Sequence, residues 1–187
     1  MTYRTTYNSP LGAITLSSDG TFLTGLWFEN HKSSHSSIDE DVTWTETLPI
    51  FRQTIKWLDI YFAGNEPEFT PPLKVEGSEF FKTVSEIMRQ IPYSETTTYG
   101  AIAAEAAKRL DRKRMSAQAV GGAVGRNPIS IIIPCHRVIG ADGNLTGYAE
   151  GLHKKISLLK IEKTDMSKMF MPKNKYPGNK TSPFVRR

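Results

Sequence analysis

A single cysteine, Cys135, lies in an Ile-Pro-Cys-His-Arg-Val segment at residues 133–138. A cysteine attacks only as the thiolate, and its free pKa near ~8.5 leaves few per cent ionised at neutral pH. A neighbouring base lowers that pKa, and His136 is adjacent in sequence. Neighbouring side chains on a strand point in opposite directions, so pairing requires a bend at Pro134 or a relaying water. From these residues alone, Cys135 is either a nucleophile or a buried packing residue.

Composition limits the classes of protein to consider. The chain has 187 residues, of which 39% are hydrophobic and 23% charged, which is typical of a globular protein and excludes a wholly disordered chain. It contains no apolar run near the ~18 residues of a membrane span, and Met1 leads directly into polar, strand-like sequence without a signal peptide. One cysteine excludes an internal disulfide and a multi-cysteine zinc site. A lone thiol indicates a reducing compartment, so we expect a cytoplasmic protein without a membrane partner.

The net charge of +5 is unevenly distributed. Residues 1–96 hold 7 basic and 13 acidic side chains, whereas residues 97–126 hold 6 and 2, and residues 163–187 hold 7 and 1. A basic second half favours a polyanion as its partner. A solvated surface with a solubilising tail is the alternative explanation of the same pattern.

The first 75 residues predict a small strand-rich domain. Three Thr-, Ile- and Leu-rich runs predict strands, with a hairpin turn at Asp19-Gly20. Apolar side chains at helical spacing then predict one helix, and a Pro- and Gly-containing segment predicts a linker. The strands are predicted at residues 3–8, 11–18 and 21–28, a loop at 30–41, the helix at 48–62 and the linker at 63–77.

The second half predicts an α-helical domain over residues 76–162. Ser78, Thr98 and Ser116 can each cap a helix. The helices end near Ile91, Leu110 and Val124, an apolar strand is predicted at residues 129–133, and residues 163–187 are predicted to be a flexible basic tail. The second and third of these helices, joined by a short basic turn, suit a helix-turn-helix, although an ordinary helical pair has the same pattern.

Four sequence features together resemble the O6-alkylguanine-DNA alkyltransferases. They are Asn127-Pro128, the following apolar run, the Pro-Cys-His-Arg-Val string at residues 134–138, and the series Gly140, Gly143, Gly147-Tyr148. The resemblance is strong over residues 78–162 and loose over residues 1–75. It implies an α+β fold, in which a strand-rich N-terminal domain with one or two helices precedes a winged-helix-like, helix-turn-helix active-site domain.

The resemblance also implies a reaction. Cys135 would attack the alkyl carbon on guanine O6, leaving guanine and an S-alkylcysteine. His136 would take the thiol proton through a water, and Glu162 would orient the imidazole. Asn127 would brace the turn behind the cysteine. From the residues alone, Glu162 is equally a solvated carboxylate and Asn127 a turn-forming residue before proline.

The same resemblance implies a guanine pocket. The Tyr99 hydroxyl would donate to guanine N3, and the backbone N–H of Ala149 would donate to O6. The carbonyl oxygens of Cys135 and Val138 would accept from the exocyclic amine, and Tyr148 would form a wall of the pocket. Without the resemblance, both tyrosines are equally well explained as core residues.

Such a pocket requires the damaged nucleotide to be flipped out of the duplex. The small-residue helix that begins at Ala117 would lie in the minor groove, and Arg114 and Arg126 would contact phosphates. Some relatives carry an arginine that fills the gap left by the flipped base, and Gln118 stands at that position here. If Gln118 is only an exposed helix residue, Arg114 or Arg126 is the alternative for this role.

The sequence therefore predicts a suicidal DNA repair methyltransferase that acts on double-stranded DNA containing O6-alkylguanine. We expect a monomer, with cooperative DNA binding left open, and neither cofactor nor metal. The alternatives are a cysteine-dependent hydrolase, a non-catalytic lesion-binding relative and a helix-turn-helix regulator. The presence of Cys135 argues against the lesion-binding relative, and Tyr99 and Asn127 have no role in a hydrolase.

Overall fold

The computed structural model describes residues 1–29 and 41–171. The N-terminal half is built on a four-stranded sheet with the strand order β3-β2-β1-β4. Strands β1, β2 and β3 are antiparallel neighbours, and β4 runs parallel to β1. Most of the predicted loop at residues 30–41 lies outside the described residues. The strands are β1 (Thr2–Ser9), β2 (Gly12–Ser18), β3 (Leu23–Phe28) and β4 (Val42–Trp44).

Helix α1 (Pro49–Phe62) packs its apolar face against this sheet, as its spacing predicts. Proline fits the first helical position because the N–H that it lacks would be unsatisfied there. Gly64, with φ of +81°, lies just after the helix in a conformation that glycine adopts without steric cost. The buried face consists of Ile50, Phe51, Thr54, Trp57, Leu58 and Tyr61.

Three helices of the second half begin at the predicted capping residues. The hydroxyls of Ser78, Thr98 and Ser116 accept the backbone N–H three residues later, at 3.3, 3.1 and 3.1 Å. Each bond satisfies a donor that the first helical turn leaves open, and the three predicted caps are confirmed. The helices are α2 (Glu79–Arg89), α3 (Tyr99–Arg109) and α4 (Ala117–Val124).

The free edge of β3 joins the two halves of the molecule. Leu23 exchanges backbone hydrogen bonds with residues 72 and 74, and Leu26 with residues 128 and 130, at 2.8–2.9 Å. One hydrophobic core contains buried residues from both halves. The segment that leads to Cys135 is therefore fixed on the N-terminal sheet.

The predicted strand at residues 129–133 is wrong. Only Ile129 forms an isolated bridge, to Leu26, and the chain then turns, with Ile131 at a φ of +69°. The backbone closes on itself, because the N–H of Ile133 donates to the carbonyl of Ile129 at 3.1 Å. A short apolar run shows that a segment is buried but does not distinguish a strand from a compact turn.

The residues after this turn include Cys135 and His136. Cys135–Arg137 is one turn of 3₁₀ helix, followed by β6 (Val138–Ile139), which pairs in parallel with β5 (Thr97–Thr98). This pairing sets the start of α3 beside the Cys-His-Arg turn. Helix α5 (Leu152–Ile161) follows and carries Glu162 directly after its last residue.

The flexible tail does not begin at residue 163 as predicted. Met166 and Met169 are buried in a second small core with Leu145 and Leu159. Phe170 exchanges backbone hydrogen bonds with residues 143 and 145, at 3.1 and 2.9 Å. The three methionines near this point (166, 169 and 171) supply apolar surface that the basic composition conceals. The remainder of the predicted tail, residues 172–187, lies outside the described residues.

Within residues 1–29 and 41–171, none of the helices has the length and apolar character required to cross a membrane.

Candidate active site

Cys135 is nearly enclosed, with 4% of its surface exposed. Burial raises the pKa of its thiol to about 11, although the Asn127 hydrogen bond and the charge of Lys155 act in the opposite direction. The thiol is therefore protonated at neutral pH in this arrangement. A nucleophilic role requires a group that removes its proton.

Asn127 ties the turn to the cysteine. Its Nδ2 donates to the carbonyl of Ile133 at 2.8 Å and lies 3.1 Å from Sγ of Cys135. Its Oδ1 accepts the N–H of Ile129 at 3.1 Å. One side chain thus links the beginning and the end of the compact turn, and fixes the sulfur relative to the backbone.

His136 and Glu162 form a buried pair, with 2.5 Å between Nε2 and Oε1 and no exposed surface on either side chain. Burial would raise the pKa of Glu162, but His136 and Arg137 outweigh it and hold the pKa at about 2. Burial lowers the pKa of His136, so its imidazole is neutral at pH 7. Since an ionised carboxylate only accepts, Nε2 carries the proton and Nδ1 is the basic nitrogen. Nδ1 is buried with no hydrogen-bond partner among the residues described.

Arg137 supplies the positive charge that this carboxylate requires. Its Nε and one terminal nitrogen donate to the two oxygens of Glu162 at 2.9 and 3.1 Å. Its other terminal nitrogen donates to the carbonyl of Ile91 at 2.7 Å, and the guanidinium lies over the ring of Tyr93. A planar guanidinium suits this two-point contact better than a lysine would.

Lys155 is a buried cation near the thiol. Its Nζ donates to the carbonyls of Val138, at 2.6 Å, and Thr146, at 3.0 Å. Burial lowers the pKa of Lys155 to about 8, and the nearby Cys135 opposes that shift. The lysine therefore joins the two loops around the site and places positive potential where a thiolate would form.

A cavity of about 530 Å³ opens between α4 and the loop before α5. It is lined by five of the predicted substrate and DNA residues, whereas Val138 and Cys135 are not among its lining residues. Val138 lies one contact away from the cavity, because Lys155 donates to the carbonyls of both Val138 and the lining residue Thr146. The predicted residues in its lining are Tyr99, Ala117, Gln118, Tyr148 and Ala149.

The hydroxyl of Tyr99 is engaged by the loop in this structure. It lies 3.2 Å from the carbonyl of Thr146 and 3.1 Å from that of Gly147. A Cβ at Gly147 would lie 2.9 Å from this hydroxyl, and the φ of +68° there also favours glycine. The absence of a side chain at Gly147 permits the close approach of loop and tyrosine.

The predicted DNA-contacting residues lie on α4 (Ala117 and Gln118) or within three residues of its ends (Arg114 and Arg126). Gln118 and Arg114 are exposed. Arg126 is exposed but partly fixed, because its Nε donates to the carbonyl of Gly122 at 3.1 Å and its guanidinium lies over Phe81. Of these residues, Gln118 and Ala117 also line the cavity.

Three residues of the site were not identified from the sequence as functional: Tyr61, Arg137 and Lys155. Arg137 lies inside the Pro-Cys-His-Arg-Val string, and its position there is a signal that could have been used. Lys155 has no such signal, because lysines are rarely fully buried. Tyr61 is one of the apolar-spaced residues of α1, and its hydroxyl lies 2.8 Å from Oε1 of Glu162. No periodicity reveals a contact across 101 residues of chain.

Two family models match the chain. The model described as "6-O-methylguanine DNA methyltransferase, ribonuclease-like domain" matches residues 2–75. The model described as "6-O-methylguanine DNA methyltransferase, DNA binding domain" matches residues 79–164.

Relatives and solved structures agree with these models. The methylated-DNA–protein-cysteine methyltransferase of Methanosarcina acetivorans is 44% identical over 160 residues, which cover 86% of this chain and 97% of that protein. The protein of the same name from Haemophilus influenzae is 40% identical over 164 residues, covering 86% of each. The crystal structure of Mycobacterium tuberculosis OGT in complex with DNA superposes with a TM-score of 0.72 at 39% identity, and covers 86% of this chain and 92% of that one.

Proposed function

Since the chain belongs to the 6-O-methylguanine DNA methyltransferase family, we propose that it repairs double-stranded DNA by transferring the alkyl group of O6-alkylguanine to Cys135. The reaction is a single turnover, because the S-alkylcysteine is not converted back to the free thiol. The observation that carries the assignment of the residue is the thiol of the only cysteine in the chain, fixed by Asn127 beside a neutral, oriented histidine.

The proton of the thiol leaves through His136. The Nδ1 atom is the basic nitrogen of a neutral imidazole, and a water between it and Sγ carries the proton across. Glu162 and Arg137 keep Nε2 protonated and the ring in place. The positive charge of Lys155 and the Asn127 donor stabilise the thiolate as it forms.

The bond changes balance within this set of groups. Sγ forms a bond to the alkyl carbon as the bond from that carbon to O6 breaks, and the electron pair passes to the purine. The purine anion takes up one proton to become guanine, and His136 releases to the solvent the proton that it received from the thiol. The N–H of Ala149 donates to O6 as negative charge develops. The hydroxyl of Tyr99 leaves the carbonyls of Thr146 and Gly147 and donates to guanine N3. The carbonyls of Cys135 and Val138 accept from the exocyclic amine, which distinguishes guanine from adenine, and Tyr148 forms the wall of the pocket.

The surface around the cavity suits DNA. Helix α4 consists of Ala, Gly, Val and Gln, so its backbone can approach the sugar-phosphate wall of the minor groove. Arg114 and Arg126 contact phosphates, and Ala117 lies at the edge of the cavity that receives the flipped base. We propose that the transferring domain begins at residue 76 and extends beyond residue 162 to include the packed Met166 and Met169, that residues 1–75 support it, and that the protein acts as a monomer.

Transfer of label tests the function directly. Incubation with duplex DNA carrying a radiolabelled O6-methylguanine should move the label onto the protein, one label per chain, after which the reaction stops. Peptide mapping should place the label on the peptide that contains Cys135. Release of the label into solution, or continued turnover, would indicate a hydrolase or a dealkylating enzyme of another class.

Gln118 should affect repair only when the substrate is a duplex. If its side chain occupies the space left by the flipped guanine, Gln118→Ala loses a hydrogen bond in the extruded state. We expect the activation free energy of single-turnover repair of duplex O6-methylguanine to rise by about 1–2 kcal/mol, which slows the reaction roughly 5- to 30-fold. Reaction with free O6-benzylguanine should not change, and Gln118→Arg should remain active on both substrates. Equal effects on duplex and free base, or none on either, would transfer the role to Arg114 or Arg126.

A further inference from the structure

Tyr61 connects the N-terminal half to the catalytic pair. It lies in α1, and its side chain has no exposed surface. Its hydroxyl donates to Oε1 of Glu162 at 2.8 Å and lies 3.4 Å from Nε2 of His136. The reaction described above gives this residue no role.

The position of this hydroxyl is fixed by packing on three sides of the ring. The ring stacks on Trp57, with centroids 5.3 Å apart, and meets the edges of Phe62 and Tyr93 at 5.4 and 6.3 Å. It also meets the ring of His136 edge-on at 6.5 Å. A side chain held in this way restricts any movement of the carboxylate that it contacts.

The Tyr61 hydroxyl and Nε2 of His136 share one acceptor, Oε1 of Glu162. Oε1 of Glu162 has three donors: Nε2 of His136 at 2.5 Å, the Tyr61 hydroxyl at 2.8 Å and a terminal nitrogen of Arg137 at 3.1 Å. Each added donor disperses the negative charge and weakens the attraction of the carboxylate for an imidazolium. Burial and Glu162 raise the pKa of Tyr61 well above its usual value, so the phenol remains a donor.

We propose that Tyr61 is a positioning residue supplied by the N-terminal half, which holds Glu162 against His136 and limits the charge that the carboxylate offers, so that the imidazole remains an unprotonated base. This inference rests on the proposed transfer to Cys135. It assigns α1 a part in the chemistry beyond support of the fold. The titratable and charged groups facing His136 are Glu162, Arg137, Lys155, Tyr61 and Tyr148, together with the thiol of Cys135 on the Nδ1 side in the proposed reaction.

The pH dependence of Tyr61→Phe tests the proposal. Without the hydroxyl, the carboxylate attracts the imidazolium more strongly, so the pKa of His136 rises and the base is protonated at higher pH. We expect the acid limb of the rate of transfer from O6-benzylguanine to move upward by about one pH unit, with a roughly 5- to 10-fold slower rate on that limb. Single-turnover kinetics separate the amplitude, which counts active molecules, from the rate constant, which reports the site.

Tyr7→Phe is the matched control. The Tyr7 hydroxyl also donates to a carboxylate at 2.8 Å, but that carboxylate is Asp59 of α1, which does not contact His136 among the residues described. The acid limb of the pH–rate profile of Tyr7→Phe should therefore coincide with that of the unmodified protein.

Three results would overturn the proposal. A Tyr61→Phe rate that is reduced equally at all pH values would indicate a purely structural role, and so would a zero amplitude. A shift of equal size in Tyr7→Phe would show that the effect is general. Absence of transfer by the unmodified protein would instead contradict the proposed function.

Discussion

Cys135→Ser should bind DNA and transfer nothing. The hydroxyl of serine has a far higher pKa than a thiol, and in this site burial already raises the pKa of the thiol to about 11. A neutral histidine acting through a water cannot ionise such a hydroxyl. We expect single-turnover transfer from duplex O6-methylguanine to fall by more than about 1000-fold, since a general base alone contributes about 10²–10⁴-fold to such reactions.

The control for this variant is its affinity for DNA. Serine is close in size to cysteine, and its oxygen remains within reach of Nδ2 of Asn127, which lies 3.1 Å from Sγ in this structure. The turn and the exposed face of α4 should therefore be unchanged, and binding measured by fluorescence anisotropy should match the unmodified protein. Residual transfer within tenfold of the unmodified protein would remove Cys135 from the role of nucleophile.

Glu162→Gln should reduce both transfer and stability. The amide no longer neutralises Arg137, whose side chain is mostly buried and which would keep an uncompensated charge. Breaking a buried pair on one side costs about 3–5 kcal/mol in the free energy of unfolding, to be measured by urea denaturation at pH 7. The orientation of His136 is lost as well, so transfer should slow by about 10²-fold or more.

The loss of stability in Glu162→Gln should depend on pH and should be smaller at acid pH. The pKa of Glu162 is lowered from its usual 4.5 to about 2, so its ionised form stabilises the fold above pH 4.5. That contribution is lost as the pH falls from 4.5 towards 2, because the carboxylate becomes protonated. The difference in the free energy of unfolding between Glu162→Gln and the unmodified protein should therefore be largest near pH 7 and should decrease steadily below pH 4.5.

Glu105→Gln is the control for the loss of a carboxylate paired with arginine. Nε of Arg109 lies 2.7 Å from Oε1 of Glu105, one turn earlier on α3, and this pair is on the surface. Exposed pairs contribute little, so its unfolding curve should stay close to that of the unmodified protein. A Glu162→Gln curve that also stays close would mean that the buried carboxylate does not carry the charge that His136 and Arg137 require.

The sequence determined those parts of this protein whose signals are local. A hydroxyl at Ser78, Thr98 or Ser116 caps a helix within three residues, so these helix starts depend on neighbours that are visible in the sequence. The signal for the proposed nucleophile is likewise local, because Cys135 is the single cysteine of the chain and lies in a distinctive string. The family and its chemistry follow from that string and the elements around it.

The tertiary structure alone decided how the chemistry is supported. The apolar residues at 129–133 form a turn because the edge of β3 and the side chain of Asn127 take up their backbone groups. Met166 and Met169 belong to the folded part of the chain, and not to the predicted tail, because their apolar side chains are buried in a second core. Tyr61 reaches Glu162 across 101 residues, and Lys155 reaches Val138 across 17. Such contacts are set by the packing of whole elements against one another, and the pattern of neighbouring residues does not encode them.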